Sequence, residues 1–231
     1  MACLVVRPAA MLSRTRSAPP GPDTHLRSRS RAGLHTGLRS RAAALLVMLC
    51  ATTAAGAMPA RAIEMEGIRF DDAARVGGKE LQLNGTALRA RFLTKGYVAA
   101  LYLQEKARNA TVVLGTPGAK RLQLRMLREA EPPAFARAIR QGIRDNHSES
   151  QVQGLSARLV QFERTLGEVG NAHKGDVINL DFTPQTGTVV AINGTPRGRP
   201  IPGEDFYQAV LRVFLGDRPV DPDVKRGLLG G

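Results

Sequence analysis

The chain has 231 residues and a formal net charge of +13, which suits one folded domain with an extension. The charge is uneven: residues 1–62 hold nine Arg, no Lys and a single acid, Asp23, so +8 sits there and +5 remains for residues 63–231. A nucleic-acid partner is excluded on that ground, because the basic excess lies mostly in the extension. Both cysteines, Cys3 and Cys50, lie there too, so residues 63–231 have no disulfide, thiolate nucleophile or thiolate ligand.

Residues 1–41 are rich in Arg, Ser, Pro and Gly and show no apolar period, a composition that cannot bury enough surface to order itself. Arg39 and Arg41 then precede an uncharged apolar stretch, Ala42 to Ala57, and Ala60-Arg61-Ala62 follows. A basic region, an apolar region and a small-x-small site in that order predict a secretory signal peptide cleaved after Ala62. The stretch is shorter than the roughly 20 residues a membrane span needs. The expectation is a leader over 1–62 and one exported, periplasmic domain over 63–231, with no stable membrane span after cleavage.

Within that domain, 67–70 and 79–84 read as short strands. Segments 85–93 and 95–103 carry aromatic and β-branched residues and read as a hairpin or bent strand pair. A short helix is expected near 106–114, stopped by Gly115, Pro117 and Gly118. Residues 120–128 alternate: Leu122, Leu124 and Met126 point one way and Arg121, Gln123 and Arg125 the other, as in a half-buried strand. Pro132 and Pro133 open a helix whose apolar face is Phe135, Ile139 and Ile143. A second helix is expected over 154–166, with Leu155, Leu159 and Phe162 buried.

Strands follow at 175–182 and 186–192, and Asn193-Gly194 is a strong turn signal that leads to a short strand near 196–201. Residues 203–215 form an amphipathic helix with Phe206, Val210, Val213 and Phe214 inside. A last helix is expected at 222–229. Strands do not alternate regularly with helices, so an α+β fold is expected, an antiparallel sheet with helices packed on it.

Few residues carry chemistry. There is no nucleophile elbow and no phosphate loop. His147 and His173 are far apart in sequence and read as surface or loop residues, and no metal site is called for. Asp71-Asp72 and Asp217, Asp221 and Asp223 read as turn and cap residues. Arg89 stands out, because strand parity can turn it toward the covered face, with Tyr97 and Tyr102 on the next strand. A guanidinium fork and a phenol in an apolar cavity make a site for a carboxylate or an enolate. The same fork would stabilise a developing oxyanion.

The segments LNGTALRARFLTKGYVAALYL, PGAKRLQLRMLRE, KGDVINLDFTPQTGTVVAINGT and IPGEDFYQAVLRVFLGDRPVDPDVKRGLLG resemble bacterial chalcone-isomerase-like proteins, in order over nearly all of 63–231. The resemblance implies an open-faced antiparallel β-sandwich, a large sheet covered by helices. The family's enzymes close a chalcone to a flavanone without a cofactor, and an arginine holds the enolate. Arg89 matches that arginine. The family's threonine falls at Tyr97, its helix tyrosine near Phe135, which has no hydroxyl, its asparagine near Gly142, and its late Thr or Ser within Arg197–Pro200.

With the polar partners lost, substrate orientation should be lost with them. The family's fatty-acid-binding branch, in which an arginine and a tyrosine hold the carboxylate, fits better. The implied function is a monomeric binding protein without a cofactor. Its ligand is a small apolar carboxylate or phenolic acid, held by Arg89, Tyr97 and Tyr102. The alternatives are an intramolecular lyase or isomerase that uses Arg89, and an interaction domain whose cavity its own side chains fill.

Overall fold

The computed structural model describes residues 63–91 and 94–231. The leader and its cleavage site lie outside the described residues, as do Phe92 and Leu93 of the hairpin. Among the described residues no helix is long and apolar enough to cross a membrane.

A short hairpin, β1 (Ile63–Met65) and β2 (Ile68–Phe70), precedes the main sheet. The sheet has seven strands: β3 (Ala73–Val76), β4 (Lys79–Arg91), β5 (Thr94–Leu103), β6 (Lys120–Met126), β7 (Val177–Thr183), β8 (Gly187–Ile192) and β9 (Thr195–Ile201). They lie side by side in chain order and every neighbouring pair is antiparallel. Helix α1 (Ala110–Gly115) fills the β5–β6 connection, and α2 (Pro132–Asp145) and α3 (Glu149–Val169) fill the β6–β7 connection. Helices α4 (Glu204–Leu215) and α5 (Pro222–Leu228) close the chain. The α+β expectation and the helix-covered antiparallel sheet are borne out.

Two-residue parity assigns each strand side chain to a face. The helix side carries Ala99, Leu101 and Leu103 of β5, Leu122, Leu124 and Met126 of β6, and Ile178, Leu180 and Phe182 of β7. These pack against Ile139 and Ile143 of α2, Leu155, Leu159 and Phe162 of α3, and most of α4. Eight residues of α4 are buried, Tyr207 and Leu211 among them, so the helix is enclosed on nearly every side rather than along one stripe. Each large apolar side chain so buried contributes roughly 1.5–3 kcal/mol, which makes α4 the main anchor of the helix layer.

The other face holds a smaller cluster. Phe70, Leu81, Leu83, Val98, Ala100 and Tyr102 pack there, with Met65 and Ile68 of the small hairpin against them. Further along, the same face is polar but paired across strands. Arg121 donates two 2.6 Å bonds to Asp181, and Gln123 donates to Asn179 at 2.9 Å. Both are directly registered partners, the geometry in which cross-strand side chains support each other. The alternation of β6 therefore separates a helix-covered row from a polar, cross-linked one, as its pattern implies.

Lys120 is the exception on the helix side. It is only 3% exposed; its Nζ donates to the Thr116 carbonyl at 2.5 Å and lies 3.7 Å from Glu204 Oε1. Burial holds its pKa below that of an ordinary lysine, with Glu204 opposing.

Local signals explain the helix starts. Pro132 and Pro133 sit at the first positions of α2, where a missing N–H costs nothing. Ser148 and Gln151 form a capping box that starts α3 at Glu149, five residues before the expected start. Asn193 (φ 50°) and Gly194 (φ 80°) make the β8–β9 turn, both in the left-handed region a two-residue hairpin demands. Strand β4 runs unbroken from Lys79 to Arg91 where two segments were expected; a register shift between Leu83 and Gly85 absorbs the bend.

Candidate functional site

Arg89 and Tyr97 are directly opposed partners on β4 and β5. Ala87 and Ala99, the registered pair two residues away on each strand, belong to the helix-side core, and parity puts Arg89 and Tyr97 on that side as well. Tyr102 is different. It pairs with Leu83 and packs among Phe70, Leu81 and Ala100 on the other face. The expectation of Tyr102 as a partner of Arg89 is therefore corrected. Tyr97 and Tyr102 are an odd number of residues apart on one strand, so their side chains leave the sheet on opposite sides.

Arg89 is half-buried and its guanidinium is held from one end. Nη1 donates to Asp221 Oδ2 at 2.9 Å and to the Ala90 carbonyl at 2.8 Å. Nε and Nη2 have no acceptor among the described residues. Asp221 comes from the opposite end of the domain, as the N-cap of α5. Its Oδ1 accepts the Asp223 N–H at 2.9 Å, and Pro222 takes the first helical position. The reading of Asp221 as a cap residue is met. Its second role, on Arg89, is not visible in sequence, because the two residues are 132 positions apart.

The helix reaches β4 because two glycines let backbone meet backbone. A Cβ on Gly85 would lie 2.1 Å from the Gly227 carbonyl oxygen. Beside this contact, Asn84 Nδ2 donates to the Leu228 carbonyl at 2.7 Å and to the Ala107 carbonyl at 3.0 Å, and its Oδ1 accepts the Ala107 N–H.

Tyr97 has its pKa pushed up to about 12. Burial is the main cause; the Arg89 charge lowers it and the Asp221 charge raises it. The phenol is thus a protonated donor at neutral pH. Among the described residues its hydroxyl has no hydrogen-bond partner.

Tyr97 also lines an open cavity of about 540 Å³, within the usual range for small-molecule sites. Gly96 and Tyr97 of β5, Met126 of β6, and Ala134 and Phe135 of α2 form its wall, with Arg128, Glu129 and Glu131 in the connecting segment. Arg89 is not on that wall. Tyr97 is the residue common to the cavity and to the Arg89–Asp221 pair.

A family model described as chalcone isomerase-like matches residues 62–230. The chain belongs to the chalcone isomerase-like family. Its fold is similar to that of a fatty-acid binding protein of Arabidopsis thaliana, AtFAP1, with a TM-score of 0.56 and 14% identity over 73% of this chain and 95% of that one. No curated protein matches it in sequence.

In this chalcone isomerase-like chain the positions assigned by resemblance fare unequally. Phe135 lines the cavity and brings an apolar ring where a hydroxyl was expected from the family. Gly142 faces Val213 of α4, whose Cγ1 would be 2.5 Å from an added Cβ, so this position serves helix packing. Arg197–Pro200 lies along the exposed edge strand β9. Of the predicted site residues, Arg89 and Tyr97 are brought together, and Asp221 is the addition.

Proposed function

We propose that this domain is a non-catalytic binding module for a small, largely apolar ligand with an acidic head, a fatty acid or a phenolic acid. Arg89 and Tyr97 hold the head and the cavity beside Tyr97 takes the apolar body. The observation that carries the reading is the pairing of a half-buried guanidinium with a protonated phenol, the phenol at the wall of a cavity of about 540 Å³. Two donors on registered positions of neighbouring strands, one of them at a cavity wall, suit an oxyanion. Phe135 in place of a hydroxyl removes a group that would orient a substrate or a water. That the similar Arabidopsis protein is a fatty-acid binding protein supports the same reading. The leader over 1–62 fits export to the periplasm, with Ile63 as the mature N-terminus.

The test is mass spectrometry of small molecules extracted from the purified protein, wild type and Arg89→Ala in parallel. A fatty or aromatic acid is expected with the wild type and not with the variant. Decanoate added to ligand-free protein is expected to bind roughly ten- to a hundredfold more weakly to Arg89→Ala, the range for a lost charge-assisted hydrogen bond. If both preparations are empty and neither binds decanoate, the binding reading fails; turnover of a chalcone by the wild type would replace it with the isomerase. In the same preparation, N-terminal sequencing is expected to begin at Ile63, and a chain that keeps its leader would contradict export.

A further inference from the structure

Asp221 is built into the site too firmly to be a passing neighbour of Arg89. One carboxylate oxygen caps α5 through the Asp223 N–H and the other accepts Nη1 of Arg89. The side chains of the pair are only 21% and 17% exposed. Swinging Asp221 away would uncap the helix and leave Arg89 half-buried without its counter-charge. The Nε–Nη2 edge meanwhile has no acceptor among the described residues. A ligand head that joins the ion pair, rather than displacing it, leaves both Asp221 bonds in place.

We propose that Asp221 is a specificity-determining residue that sets the charge preference of this site. The inference rests on the reading of Arg89 and Tyr97 as the ligand-head site. With Asp221 in place, the head meets one positive and one negative group, close to neutral overall. A carboxylate gains the guanidinium edge but feels the fixed carboxylate across it. A hydroxyl or carbonyl head uses the same donors without that repulsion. The site is thereby made to accept neutral-headed amphiphiles beside acids, where an arginine alone would favour acids strongly. Both charges act on Tyr97 with opposite signs, which fits two opposed charges at one place.

The experiment compares decanoate with decanol, which share a chain and differ in head charge, on the full-length protein as wild type, Asp221→Asn and Arg89→Ala. Asparagine keeps a capping oxygen while removing the charge. Asp221→Ser is a second uncharged cap should the first variant fail to fold. The decanoate-to-decanol affinity ratio is expected to rise about tenfold in Asp221→Asn, the effect of one nearby unit charge in a partly screened site. A ratio that stays the same or falls overturns the proposal, and a fall would mean that Asp221 holds Arg89 in place for acids. If Arg89→Ala leaves decanoate binding untouched, the site reading itself fails and takes the inference with it. If Arg89→Ala weakens decanoate while the Asp221→Asn ratio does not rise, only the inference fails.

Discussion

Gly85→Ala is expected to destabilise the domain by about 3 kcal/mol, lowering its melting temperature by roughly 6–12 °C. The cause is steric. The added Cβ would meet the Gly227 carbonyl oxygen at 2.1 Å, the Leu228 carbonyl oxygen at 2.8 Å and the Gly230 nitrogen at 2.9 Å. All three are backbone atoms, so no rotamer change relieves the clash, and α5 has to move off β4. Moving it disturbs the Asn84 bond to the Leu228 carbonyl and the fully buried Val224 and Leu228. It also withdraws Asp221 from Arg89.

Gly154→Ala is the control. Nothing lies within 4 Å of its added Cβ, and it sits inside α3, where alanine is favoured over glycine by up to about 1 kcal/mol. Thermal unfolding of the two variants is expected to move in opposite directions. An unchanged midpoint for Gly85→Ala would show that α5 does not rest on β4 as described.

That contact also marks where the sequence stops being informative. Features that depend on neighbours in the chain were legible: the prolines that open α2, the Asn193-Gly194 turn, the alternation of β6 and the burial of Phe206, Val210, Val213 and Phe214 in α4. Arg89 and Tyr97 were legible for the same reason, since a hairpin pairs residues at short range. Parity also decides Tyr102: five residues beyond Tyr97 on an unbroken strand, it must face the other way. The start of α3 was missed because its signal, Ser148 with Gln151, lies ahead of the first apolar residue of the stripe. The three- and four-residue strands β1 and β3 are too short for a period to register. Asp221 was read correctly as a cap. Its partner comes from β4 through the close approach of Gly85 and Gly227, and no local pattern encodes that approach.

Tyr207→Ala is expected to cost more than Gly85→Ala, a loss of about 4 kcal/mol and a melting temperature lower by roughly 8–16 °C. Tyr207 is not among the four residues expected inside this helix, yet it is wholly buried. Its ring stacks on Phe182 of β7, with centroids 5.0 Å apart and planes 19° from parallel. Its hydroxyl donates to the Leu180 carbonyl at 3.1 Å, which satisfies the one polar atom the ring carries into the core. Burial pushes its pKa well above that of a free tyrosine, so the hydroxyl keeps its proton and remains a donor.

The two contributions can be separated. Tyr207→Phe keeps the ring and the stack and loses only the hydroxyl bond, an expected cost of about 1 kcal/mol. The alanine variant loses the ring, its stack and its bond together and opens a cavity between α4 and β7. Denaturant unfolding of both variants measures the difference, expected at about 3 kcal/mol. If the phenylalanine variant lost as much as the alanine variant, the hydrogen bond rather than the packed ring would be holding α4 on the sheet. The ring is expected to dominate, because the hydroxyl exchanges one hydrogen bond for another on folding while the ring leaves water altogether.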